Sequence, residues 1–183
     1  MGLVDTCRRL LEDRGYSRIH PPKSAKQTGV LRDLLLEARA PGRSALVLDH
    51  STASVGVEWA RKLVALAATG AHDEFVLVVA DGANATSYSA RQLFANLNVT
   101  VFRACRLAVP YVDSIYVPPH RKSSESELAV SHPTVNPDSI PTISESDPVC
   151  LWYGWRPGTV IVVRLKFGNM TPYNMFERVV PAA

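Results

Sequence analysis

The chain has 183 residues, a formal net charge of +3 and 46% apolar residues, enough to bury one ordinary core or two small ones and to exclude disorder throughout. Three cysteines, Cys7, Cys105 and Cys150, are odd in number and lack any C-x-x-C pair, so neither a disulfide framework nor a zinc ribbon is indicated. No window approaches the ~18 uninterrupted apolar residues of a membrane span, and no signal-peptide core precedes Arg8-Arg9; the expectation is a soluble intracellular protein with no membrane partner.

Charge is unevenly spread. Through Arg43 there are nine Lys/Arg against five Asp/Glu, so the basic surplus is N-terminal. Such a surplus can meet phosphates but falls far short of the dense basic stripe of a stand-alone nucleic-acid binder. Fifteen of the twenty basic residues are Arg, the side chain suited to planar, bidentate contact with carboxylate or phosphate.

Leu3, Val4, Cys7, Leu10 and Leu11 share one helical face, with Gly15 placed to end that helix. After a polar, proline-containing stretch from His20 to Thr28, the spacing of Val30, Leu31, Leu34, Leu35 and Ala38 predicts a second amphipathic helix stopping at Pro41-Gly42. The period then changes. Residues 45–49 read as a buried strand, 54–69 as a helix carrying Trp59, Leu63, Leu66 and Ala67, and 75–79 as a second apolar strand turned by Asp81-Gly82. A short helix at 89–96 and a strand at 99–102 complete an alternating order, which implies right-handed crossovers and a small, mainly parallel sheet covered on its faces. Between Tyr111 and Pro141 the composition shifts to Pro, Ser, Glu and His. The expectation is therefore an α/β domain at 1–110 and a smaller α+β domain at 111–183.

The last segment carries the densest local signals. Asp147 is a natural N-cap and Pro148 fits the first helical position. Gly154 can stop that helix in a left-handed conformation. Pro157-Gly158 suits a type II turn feeding the β-branched run 159–163. Trp152, Tyr153, Trp155, Phe167, Tyr173 and Phe176 exceed what a small two-layer domain buries fully, and rings left beside Arg156 would suit a protein interface.

Small α/β sheets of this kind include metal-dependent nucleases, which place acids near a lysine, often as Asp/Glu-x-Lys. Two positions before Lys23, Lys26, Lys62, Lys122 and Lys166 stand Pro, Ser, Ala, His and Arg, so that pattern is absent. Asp49 and Asp81 end strands, where open α/β sheets bind ligands, yet an Asp beside His or Gly at a strand end is more often a turn former. His20, His50, His72, His120 and His132 show no ligand spacing and read as surface residues. No nucleophile elbow, phosphate-binding loop or dinucleotide fingerprint is present. The residues indicate no catalytic residue, metal or cofactor.

In order, Val117-Pro118-Pro119-His120, Ile140-Pro141-Thr142-Ile143, Asp147-Pro148-Val149, Gly154-Trp155-Arg156-Pro157-Gly158 and Phe176-Glu177-Arg178-Val179-Val180 resemble the assembly domain of one family: the fifth-largest subunit common to the three eukaryotic nuclear RNA polymerases, which has a smaller counterpart in the archaeal RNA polymerase. Upstream, Leu10 to Tyr16 is similar to that family's Leu-x-Asp-Arg-Gly-Tyr helix, residues 54–57 to its Lys-Val-Gly-Val stretch, and Ser89-Ala90-Arg91-Gln92 to a Ser-Ala-Lys-Gln segment. The resemblance implies a non-catalytic subunit without cofactor, located in the nucleus, or in the nucleolus if it serves polymerase I alone. It implies an N-terminal jaw domain near downstream duplex DNA and a C-terminal assembly domain docked on the largest subunit among the other subunits. The implied assembly residues are Val117, Pro118, His120, Asp147, Pro148, Val149, Gly154, Trp155, Arg156, Pro157, Gly158 and Arg178; the DNA-proximal ones are Thr86, Ser87 and Arg91. The chain departs from the family in the hairpin loop, where residues 166–172 replace a Ser-x-Thr-Ala-Gly-Arg type sequence. It departs again after His120, where prolines interrupt a usually charged helix, and at residues 84–90, which lack the proline of a Thr-Pro-Ser-Ala segment. These departures suggest an isoform specific to one polymerase class. The alternatives from other classes are a stand-alone nuclease-like or hydrolytic enzyme using Asp49 and Asp81, and an adaptor that binds nucleic acid through the basic N-terminal region.

Overall fold

A computed structural model describes residues 2–21, 33–82, 85–136, 139–166 and 168–182. The chain divides into two compact units, Met1–Pro110 and Tyr111–Ala183. It is mixed α/β throughout, with one mixed sheet in each unit.

The first unit opens with helix α1 (Leu3–Asp13), whose first turn is closed by Asp5 accepting from the Gly2 N–H at 3.2 Å. Cys7, Leu10 and Leu11 are fully buried along one face, and Gly15 takes φ +85°, which turns the chain out of the helix. Five strands follow: β1 (Arg18–His20), β2 (Leu34–Ala40), β3 (Arg43–His50), β4 (Glu74–Val79) and β5 (Val99–Arg103), lying side by side in chain order. The β1–β2 and β2–β3 pairs are antiparallel, and β3–β4 and β4–β5 parallel. The sheet is thus evenly mixed, a correction to the mainly parallel sheet expected.

The difference lies in β2. Of the residues assigned to a second helix, Leu34, Leu35 and Ala38 are in this strand, and Val30 and Leu31 fall outside the described residues. Leu36 and Ala38 are buried while the side chains of Glu37 and Arg39 pair at 2.8 Å on the other face, a period of two that pairing with β3 selects over a strong local helix propensity. Pro41-Gly42, read as a helix stop, is the two-residue turn of the β2–β3 hairpin, with Gly42 at φ +72°.

Helices α2 (Val57–Ala67) and α3 (Tyr88–Phe94) cover one face of this sheet. There Leu46, Leu48, Phe75, Leu77 and Val79 meet Ala60, Leu63, Ala90 and Phe94 in one buried cluster. Helix α1 packs on β2 and on α4 (Ala104–Ala108). All six residues of β4 are buried, as expected of a strand covered on both faces.

The second unit begins with a 3-10 turn at Tyr111–Asp113 and builds a four-stranded sheet from β6 (His120–Lys122), β7 (Thr142–Ser144), β8 (Val160–Leu165) and β9 (Tyr173–Val180), in the order β6-β8-β9-β7. Pairings are antiparallel except β7–β9. The alternation of β8 places Val160 and Val162 with Phe176, Ile140 and Leu128 of α5 (Glu125–Ser131) on one face. Ile161 and Val163 meet Val179 and Cys150 of α6 (Pro148–Tyr153) on the other. No described helix is long and apolar enough to cross a membrane.

Candidate functional site

Helix α6 is fixed at both ends by short-range chemistry. The Asp147 carboxylate accepts from the Val149 N–H at 2.8 Å, Pro148 occupies the first turn, and Gly154 at φ +66° lets the Trp155 N–H reach the Cys150 carbonyl at 3.0 Å. Val149 and Trp152 are buried, whereas the rings of Tyr153 and Trp155 stack at 4.6 Å between centroids and stay half-buried beside the exposed Arg156 and Pro157. Gly158 holds φ +88°, and its N–H bonds the Val179 carbonyl at 2.9 Å.

The other sequence segments singled out in this unit interlock with that core. The Pro119 carbonyl accepts from Arg164 N–H at 2.9 Å, and the Pro141 carbonyl from Arg178 N–H at 2.9 Å. Val117 and Pro118 are half-buried, and the Pro118 carbonyl lies 2.5 Å from His120 Nδ1. Burial pushes the His120 pKa down, while that carbonyl and the charge of Asp147 oppose the shift, so the residue that closes Val-Pro-Pro-His lies within electrostatic range of the α6 cap. Glu177 is pushed up by burial and by the same Asp147 carboxylate. Cys150 is pushed to about 12 by burial and by the charges of Asp147, Glu177 and Glu145, which keeps it a neutral thiol.

In the first unit Thr86 is buried in an isolated bridge with Val55, and Ser87 caps α3 by accepting from the Ala90 N–H at 3.2 Å. Arg91 lines a recess of about 180 Å³ with Thr86, Gly82 and Arg103 at the carboxyl ends of the parallel strands. Arg103 is a member that sequence reasoning missed; its place as the last residue of β5, next to the strand-end Asp81, was the available signal.

Asp49 and Asp81 hold local backbone: Asp49 accepts from the Ser51 N–H at 3.0 Å and Asp81 from the Cys105 N–H at 2.9 Å. Among the described residues no three His, Cys, Asp or Glu side chains are grouped to hold a metal ion. Of the histidines read as surface residues, His50, His72 and His120 are half-buried, a correction. His50 Nδ1 meets Asp33 at 2.7 Å, Asp33 also accepts from Trp59 Nε1 at 2.8 Å, and the two rings lie 5.0 Å apart. Burial lowers the His72 pKa. Also missed was the buried knot at the end of α1, where Arg14 pairs with Glu74 and Tyr16 donates to the second Glu74 oxygen at 2.6 Å. Arg43 lies 4.7 Å over the Tyr16 ring and donates to the Arg14 carbonyl. The Asp-Arg-Gly-Tyr string was its sequence signal.

No protein-family model and no curated protein matches the chain. The site is therefore read from its own geometry.

Proposed function

We propose that the chain is a non-catalytic subunit of a nuclear DNA-dependent RNA polymerase, specific to one polymerase class. Its second unit serves assembly on the largest subunit, and its first unit lies at the jaw that meets downstream duplex DNA. The observation that carries this reading is the mutual bonding of segments far apart in the chain. Pro119 bonds β8, Pro141 bonds Arg178, Gly158 bonds Val179, and His120 senses Asp147. The residues that resemble one family are thus parts of one construction, with Trp155 and Arg156 left at its surface. Half-buried stacked aromatics beside an arginine have the composition of an interface core.

The jaw role draws on Arg91 and Arg103 at the strand-end recess, which suit phosphate contact without base readout. The deciding experiment is affinity purification of the tagged chain from nuclear extract. The expected result is co-elution with one class of largest subunit, in a particle far larger than the 20.0 kDa chain. Recovery with all three classes would make the subunit a shared one, and recovery as a free monomer would end the reading.

A further inference from the structure

Strand β6 pairs with β8 on one side, and among the described residues no strand pairs with its other side. The ladder fixes which backbone groups face outward. Arg164 N–H bonds the Pro119 carbonyl and Ser123 N–H bonds the Val160 carbonyl, so 119, 121 and 123 turn their polar groups to β8. Those of His120 and Lys122 point to the open edge.

The residues along that edge are His120, Arg121 and Lys122. Arg121 is already matched, forming a two-pronged pair with Glu127, one arm at 2.9 Å. Lys122 on one face and Arg164 on the other have no acidic partner among the described residues. Beside the strand, on the Arg121 face, lies a recess of about 430 Å³ floored by Val162, walled by Pro119 and Pro172, and rimmed by Arg121, Arg164 and Asn174.

We infer that the β6 edge is a docking strand for an extended, acidic segment of a partner protein. That segment pairs its backbone with His120 and Lys122 and sets an acidic side chain into the Arg164–Asn174 recess. Added strands gain affinity from main-chain bonds and specificity from recesses that take every second side chain. The charge selects the partner: a second copy pairing edge to edge would set like charges opposite one another, whereas an acidic strand meets Lys122 and Arg164 with opposite charge. The inference needs only the edge and its charges, and does not depend on the polymerase reading.

The test uses the full chain and a fluorescent peptide of alternating Glu and Val, with a Lys-Val peptide and an N-methylated Glu-Val peptide as controls. The Glu-Val peptide is expected to bind and to slow exchange at the His120 and Lys122 amides while leaving the Arg121 amide unchanged. Lys122→Pro, which removes an outward N–H and none of the β8 ladder, and N-methylation of the peptide are each expected to weaken binding at least ~10-fold. Arg164→Ala should weaken the Glu-Val peptide and leave the Lys-Val peptide as poor as before. Equal binding of both peptides, indifference to N-methylation, or duplex DNA displacing the peptide as well from Lys122→Pro as from wild type would overturn the inference. A concentration-dependent dimer in sedimentation that Lys122→Pro abolishes would overturn the acidic occupant in favour of a second copy.

Discussion

Single side chains hold this protein together by burial or by capping. Glu74 is 7% exposed and meets both Arg14 and Tyr16, so Glu74→Ala leaves a buried guanidinium without its counter-charge, a change that costs about 3–5 kcal/mol. Urea denaturation should show that loss, with Glu74→Gln recovering a part through the Tyr16 bond. Asp147→Ala removes a cap of about 1 kcal/mol and should shift the denaturation midpoint modestly. Titration has two signs. Burial lowers the folded pKa of His120 and His72 below 6.5, so the unfolded chain binds more protons between the lowered values and 6.5, and stability falls as pH drops through that window. His120→Gln should flatten the slope measured from about pH 7.5 to about 5.5. Glu177 runs the other way: its raised pKa means the fold holds its proton more tightly above 4.5, and the cost grows as pH rises through the raised value. Glu177→Gln should therefore stabilise at neutral pH and do little at pH ~4.

Among the helices and strands, α6 and its turn were legible because each signal acts within a few residues: an N-cap Asp, a first-turn Pro, and glycines at the two positive-φ positions. Gly158→Val tests the second, since a β-branched residue is strained at φ +88° although nothing crowds the position. Loss of association with the large subunit, with the Tm lowered by several degrees, is the expected result. Strand β2 was illegible for the opposite reason. Leu34, Leu35 and Ala38 fit a helical face as well as a strand face, and pairing with β3, not local preference, decides between them. The Asp33–His50–Trp59 contact was illegible likewise, because its members sit 17 and 26 residues from Asp33 and meet only once β3 and α2 are placed. Leu36, 1% exposed on β2, is the residue whose truncation tests the strand, and Leu36→Ala should cost about 2–5 kcal/mol.

Across the whole chain, each unit carries its own buried clusters. Leu128, Ile140, Val160, Val162 and Phe176, with Cys150, Ile161, Val163 and Val179, lie entirely within residues 111–183. A fragment of those residues should melt cooperatively in circular dichroism and retain the large subunit in pull-down. If the fragment 1–110 is retained instead, the two units have exchanged roles. Free full-length protein should bind duplex DNA weakly and without sequence preference, as phosphate contact by a few arginines allows. Removing Arg91 or Arg103 should lower the slope of log affinity against log salt by about one each.

The two sheets also differ in when they can form during synthesis. In the first unit every strand pairs with its neighbour in the chain, so the sheet grows one strand at a time as the polypeptide leaves the ribosome. In the second, β9 lies between β8 and β7, so β7 waits for a partner until nearly the last residue is made. A ribosome stalled before Tyr173 therefore presents a finished first sheet and a second unit with three strands in which β7 is unpaired. Such nascent chains should show protease resistance through residues 34–50, 74–79 and 99–103 and none at 142–144, a state that offers chaperones one exposed strand until translation ends.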